Sequence, residues 1–292
     1  MKKYVAIALI IVLAFTFAAC SNDEDVLSQI YEIGGDSLSG AEDDNLNHVN
    51  VVSDIIIYSQ EFPEGTTISY DTGMIEYSLI YNETRYYPAR EMTVHSYLVD
   101  GFGKSEINIR EDGSVFTIMG DGLRAIDIDI HASPEEVRAL MEPVTSDLVD
   151  FSLYEHTELN IYPWGEGFGR YEFDYYNMEQ GYYTDIATVA VRENGNIANV
   201  VIENLPYDTS SIGIIDKERE AELIQKKLKS MCDSKTVEYQ DYELRRVPRF
   251  KVYQNELCIY YSLDCDVYDL EQEIETGFIA KLLIPVRLLT ES

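Results

Sequence analysis

The chain reads as an α+β protein: tandem units, each a helix laid on an antiparallel sheet, rich in strand. Three observations predict this. Ile107-Asn108-Ile109-Arg110-Glu111-Asp112-Gly113-Ser114-Val115 recurs 82 positions later as Val189-Ala190-Val191-Arg192-Glu193-Asn194-Gly195-Asn196-Ile197. In both copies apolar alternation runs into Arg-Glu, then Asp-Gly or Asn-Gly, then alternation again, the pattern of two strands joined by a tight primed turn. Roughly twenty residues after each turn comes a helix-start signal, Ser133-Pro134 and Asp216, as in an array of one repeated unit. The joins between strands are short, which makes neighbours antiparallel.

Taken in order, residues 1–19 read as an export signal. Lys2 and Lys3 precede an apolar run, Tyr4 to Phe17, too short to span a bilayer, and Ala18 and Ala19 supply small residues before Cys20. Phe17-Ala18-Ala19-Cys20 resembles the lipobox of bacterial lipoproteins, with Phe17 standing where that family usually has Leu or another aliphatic. The resemblance implies acylation of the Cys20 thiol, cleavage before it, and anchoring to the extracytoplasmic face of the cell membrane through lipid alone. Residues 20–50 then read as an acidic, flexible tether with Gly34-Gly35 and Gly40 through its middle. Gly35-Asp36-Ser37-Leu38 spells the signature of the GDSL hydrolases, but no histidine in this chain has Asp three residues before it. Ser37 therefore lacks a base to activate it.

Residues 51–131 form a β-rich unit one. Val51 to Tyr58, Gly73 to Tyr81 and Glu91 to Leu98 alternate or run apolar between turn signals, the first hairpin follows, and Ile126 to His131 reads as a strand with three isoleucines on one face. Residues 132–214 form unit two. Ser133-Pro134-Glu135-Glu136 is a capping box, Val137, Leu140 and Met141 make one apolar stripe, and Pro143 stops the helix. Strands are expected at Phe151 to Tyr162, Gly169 to Asn177, Thr184 to Arg192 and Asn196 to Glu203, with Tyr171, Phe173 and Tyr175 on one face of the second. Residues 215–292 form unit three, where Asp216 caps a helix facing inward with Ala221, Ile224, Leu228 and Met231. A helix opening Ser-Pro-Glu-Glu, followed by long strands and an Asp-Gly or Asn-Gly hairpin, resembles the PepSY-type domains of secreted and lipid-anchored bacterial proteins. That resemblance covers 132–203, with a weaker echo in 215–289, and implies an envelope protein that inhibits or modulates peptidases without a catalytic signature.

With 53 acidic against 22 basic side chains and a formal charge of −31, the chain repels nucleic acid and anionic headgroups. Cys232, Cys258 and Cys265 are an odd set, leaving either one bridge from Cys232 to one of the others or three free thiols. Cys258 and Cys265 face opposite ways in a regular strand and cannot pair with each other.

Two constellations carry site chemistry. Asp127, Asp129 and His131 project from one strand face at two-residue spacing, where side chains converge on a cation, although a half-buried strand with a wet face gives the same pattern. Trp164, in the glycine-rich stretch between two strands, and Tyr182 with Tyr183 offer aromatic anchors for a peptide or glycan. Asp264, Asp266 and Glu275 match three positions of a calcium loop, but Asp269 stands where that loop requires glycine. No motif calls for a cofactor and no catalytic residue is assigned. The reading that fits these features is a lipid-anchored, non-enzymatic interaction module for an envelope protein or peptide. A cell-surface hydrolase acting through carboxylates is the first alternative; a solute-binding lipoprotein of a transporter is the second, disfavoured because two βαβ lobes need more helices than the chain offers.

Overall fold

Sixteen strands and two α-helices make up the regular structure among the described residues, so the fold is mostly β and the predicted array of helix-on-sheet α+β units is overturned. The structure is a computed structural model that describes residues 26–33, 51–52, 56–58, 62–63, 65–87, 91–129, 132–162, 171–233 and 236–290. The export signal, Cys20, Ser37, His131 and Trp164 lie outside them. In chain order the strands before the first helix are β1 (Tyr31–Ile33), β2 (Val51–Val52), β3 (Ile56–Tyr58), β4 (Thr67–Asp71), β5 (Glu76–Tyr87), β6 (Met92–Val99), β7 (Glu106–Arg110) and β8 (Val115–Met119). Helix α1 (Pro134–Thr145) precedes β9 (His156–Ile161), β10 (Tyr171–Glu179), β11 (Tyr182–Val191) and β12 (Ile197–Glu203). Helix α2 (Lys217–Asp233) precedes β13 (Val237–Leu244), β14 (Arg249–Tyr253), β15 (Glu256–Asp269) and β16 (Ile274–Pro285).

Two compact units share the chain. The central unit is Asp54–Thr209 with Val252–Gln254, so the stretches read from sequence as units one and two lie together in it. Its antiparallel strands run β9-β10-β11-β12-β8-β7-β6-β5, with β3 and β4 both against the far side of β5. The join at β8 and β12 places Ile118 opposite Val200, its own counterpart in the second copy, so a local twofold relates the two hairpins. The likeness extends to defects: Phe116 and Ala198, again counterparts, are each skipped in the pairing and form matching bulges.

Neither copy makes the primed turn that Asp-Gly and Asn-Gly suggest. Only Gly113 and Gly195 have positive φ, +85° and +79°, while Asp112 and Asn194 do not. Gly113 N–H donates to the Arg110 carbonyl and Gly195 N–H to the Arg192 carbonyl, both at 2.9 Å. Each is therefore a three-residue loop, a type I turn closed by a left-handed glycine. The two-residue turns with both φ positive fall at Gln180-Gly181 and Gln254-Asn255, where sequence gave no such signal.

The inward face of this sheet carries Ile107, Ile109, Ile118, Phe173, Val189, Val191 and Val200, all buried. Helix α1 lays Val137 and Met141 on it, each contributing about 1.5–3 kcal/mol by burial. The capping box forms as expected, Glu136 N–H donating to Ser133 Oγ and Ser133 N–H to Glu136 Oε2. Leu140, placed in the stripe by sequence, is 44% exposed, and Pro143 lies inside the last turn instead of ending the helix. Twelve residues make a helix about 18 Å long, against a row of eight strands from β9 to β5 about 34 Å across. One such helix cannot roof the sheet, and Leu123, Ile126 and Val149 from irregular segments complete the cover.

The terminal unit joins the described residues before Ser53 to Ser210–Lys251 and Asn255–Ser292. Strands run β2-β1-β16-β15, with β13 and β14 both on β15. Residues 26–33, placed by sequence in the tether, are folded here: Ile30 and Ile33 are buried, and β1 pairs with β16. Val26, Leu27, Ile30, Tyr31 and Ile33 are a short apolar cluster between the acidic residues 23–25 and the glycines 34 and 35, and a sequence reading passes over it because the flanks set the composition. Asp216 caps α2 as expected, accepting from the N–H groups of Glu218 and Arg219. The buried side of α2 is Glu220, Leu223, Ile224, Lys227, Leu228 and Cys232, and Ala221 is exposed. Glu220 and Lys227 sit inside because their partners come from other strands, the Tyr261 hydroxyl at 2.8 Å and the Glu32 carboxylate at 3.0 Å. Cys232, Cys258 and Cys265 are free thiols, all buried.

Candidate binding site

The outer margin of the central unit, where β9 ends the sheet among the described residues, gathers the residues with most to offer a ligand. A short 3-10 turn, Phe151–Leu153, leads into β9, where sequence predicted continuous strand. Between Tyr176 and Met178 the register slips, with the extra residue on β11, so that Thr184 and Asp185 together face a single β10 residue, Asn177. Its side-chain amide pins the start of β9, Nδ2 donating to the Leu153 carbonyl and Oδ1 accepting from the Glu155 N–H, both at 2.9 Å.

From there β9 pairs with β10 over six residues without a slip. Alternation then sorts the side chains. Thr157, Leu159 and Ile161 stand opposite Tyr175, Phe173 and Tyr171 on the core side, while His156, Glu158 and Asn160 stand opposite Tyr176, Asp174 and Glu172 on the other. Glu158 and Asp174 are thus directly opposed carboxylates, a pairing that costs stability. Asp174 accepts from Thr188 Oγ1 at 2.5 Å and Asn160 Nδ2 at 3.2 Å, and Glu172 from the Tyr162 hydroxyl at 3.3 Å. Glu158 is exposed. Burial, then the charges of Glu158 and Asp174, push the Tyr183 phenol far above its ordinary range, so it stays a neutral donor. Its ring lies 4.5 Å from that of Tyr176, which in turn lies 5.3 Å from His156.

The other margin of the same sheet face is built oppositely. Arg85 on β5 donates to Glu83 at 2.6 Å and in bidentate fashion to Glu106 at 2.8 and 3.2 Å, and Asn108 Nδ2 joins Glu106 to Thr117. Burial works against the Arg85 charge, but these two carboxylates hold its proton more tightly than usual. There one guanidinium ties both carboxylates into the fold.

Of the residues singled out from sequence as aromatic anchors, Tyr183 lies at the β9 margin and Tyr182 beside it in β11, but both are buried, 9% and 1% exposed, so neither offers a ring to a ligand. Asp127 and Asp129 are exposed on an irregular segment that runs beside the second hairpin turn, not on a strand, because Ile126 N–H is committed to the Gly195 carbonyl. Among the described residues no three His, Cys, Asp or Glu side chains are grouped to hold a metal. Asp264, Asp266 and Glu275 lie on the paired strands β15 and β16, which excludes a calcium loop there. Sequence reasoning missed His156, Glu158, Asp174 and Tyr176 as a set. The alternation Glu172, Asp174, Tyr176 is legible, but their alignment with β9 depends on register. No family model, curated protein or solved structure matches the chain.

Proposed function

We propose that this protein is a lipid-anchored extracytoplasmic binding module that engages an envelope protein or peptide and performs no chemistry of its own. The observation that carries the binding reading is the β9 margin: an end strand among the described residues along which His156, Thr157, Glu158 and Ile161 are exposed. Such strands offer a partner both backbone hydrogen bonds and side-chain pockets. The anchor is supported by Lys2, Lys3, the short apolar run and Ala18-Ala19-Cys20. No helix among the described residues is long and apolar enough to cross a membrane.

Two measurements on the full chain test this. Feeding cells an alkyne-bearing fatty acid labels the wild-type protein and leaves Cys20→Ala unlabelled and released from the membrane fraction. A photo-crosslinking residue at Glu155, beside β9, traps a specific envelope component. Turnover of a cell-wall polymer by the purified protein, with no crosslinked partner, would replace the binding module with a surface hydrolase.

A further inference from the structure

We infer that the ligand is an extended peptide segment alternating basic and apolar residues, which adds itself to the sheet as a new strand alongside β9. This rests on the binding reading above and specifies its partner.

The backbone comes first. Among the described residues β9 pairs only with β10, and His156, Thr157, Glu158 and Ile161 are exposed along it. In an end strand every second residue turns its N–H and C=O outward, so six residues offer three such positions. Other end strands are less suited. β13 is broken by a bulge between Tyr239 and Asp241, which twists an edge away from a straight partner, whereas β9 keeps regular register throughout. β4 is one residue shorter and turns Ile68 and Tyr70 against the core.

Side chains then choose the occupant. A strand added to β9 continues both faces of the sheet, so its residues alternate between the surroundings of Glu158 and those of Leu159 and Ile161. Next to Glu158 the favoured partner is Lys or Arg, because this carboxylate already faces Asp174 across β10 and a cation relieves that repulsion. On the opposite face Ile161 is 53% exposed, and an apolar side chain laid against it removes that surface from water. A second copy of this chain is the wrong occupant. Antiparallel self-pairing of β9 would bring two Glu158 carboxylates together in a chain of net charge −31.

Titrating the full-length protein with an alternating lysine–valine hexapeptide, and separately with its glutamate–valine counterpart, tests this by amide hydrogen exchange. The lysine peptide protects alternate amides of residues 156–161; the glutamate peptide protects none. Glu158→Lys weakens the lysine peptide by about tenfold and Glu158→Gln by less, and added salt weakens binding to wild type. Both substitutions are at an exposed position and relieve the repulsion from Asp174, and a cooperative thermal melt no lower than that of wild type confirms that they fold. Protection absent from β9, or equal binding of both peptides, overturns the strand-addition proposal. If Glu158→Lys still crosslinks the same envelope component through position 155, strand addition through Glu158 is wrong while the binding reading stands. If wild type crosslinks nothing in the envelope yet binds the lysine peptide at β9, the envelope reading fails and the strand-addition chemistry remains.

Discussion

The two hairpin turns of the central unit are the same object in different surroundings. Both close a three-residue loop on a left-handed glycine, and both carry an Asx hydrogen bond, Ser114 N–H to Asp112 Oδ1 at 2.9 Å and Asn196 N–H to Asn194 Oδ1 at 3.1 Å. The first turn stands open, touched by the Tyr70 hydroxyl on the Gly113 carbonyl. The second is roofed by the segment that links the two copies: Ala125 bridges to Asn196, Ile126 N–H donates to the Gly195 carbonyl, and Ile197 N–H to the Arg124 carbonyl. Local sequence sets the geometry of a turn, and what lies over it decides how much any residue there matters.

The roof is held by one buried ion pair. Arg124 and Asp147 expose 2% and 5% of their side chains and meet through two hydrogen bonds at 2.5 and 2.6 Å. Tyr77, Thr72 and the Val144 carbonyl take the other guanidinium hydrogens, so every charge in the cluster is matched. Removing one partner strands the other in the interior. We expect Arg124→Ala to cost about 3–5 kcal/mol, measured by urea denaturation. Exchange at the second turn should rise well before that at the first, and equal acceleration at both would show that Arg124 does not anchor the roof.

Glycine at the turn gives the next largest contrast. A Cβ on Gly195 would lie 2.0 Å from the Ile126 carbonyl oxygen, whereas a Cβ on Gly113 meets nothing within 4 Å. Gly113→Ala carries the left-handed backbone penalty, about 1–2 kcal/mol. Gly195→Ala carries that penalty and must also push the linker off the turn, so it is expected to cost at least about 1 kcal/mol more. Similar losses in the two variants would mean that the linker yields freely.

These contrasts also mark what the sequence could say. The doubled hairpin, the Ser133 capping box, the Asp216 cap and the inward faces of β7 and β10 are legible because each is fixed by residues a few positions apart. The fold class is not. The pairing of Ile118 with Val200, which makes one continuous sheet of two predicted units, is a contact between distant residues with no local signature. Helix-start signals are local and strong, so two of them suggested a helix-on-sheet plan for units two and three, whereas the fold is mostly β. The β9 margin failed for the same reason: Glu158 gains significance only once register sets it against Asp174.

Charge supplies the smallest contrast. Asp112 and Asn194 occupy the same place in the two turns, but only Asp112 titrates. Hydrogen bonds from the Ser114 hydroxyl and N–H hold its carboxyl below the usual range, with help from the nearby Arg110 charge. A carboxyl depressed on folding stabilises its turn above the ordinary aspartate range, and that contribution is lost as pH falls through the lowered value. On acidification the Ser114 amide should therefore lose protection relative to Asn196, once both are corrected for intrinsic exchange. Because Asp112 is exposed, the change is expected to be only a few-fold and to shrink in salt. Asp112→Asn should abolish it by making the first turn a chemical copy of the second. A pH response that survives that substitution would assign the titration to another group and leave the two turns electrostatically alike.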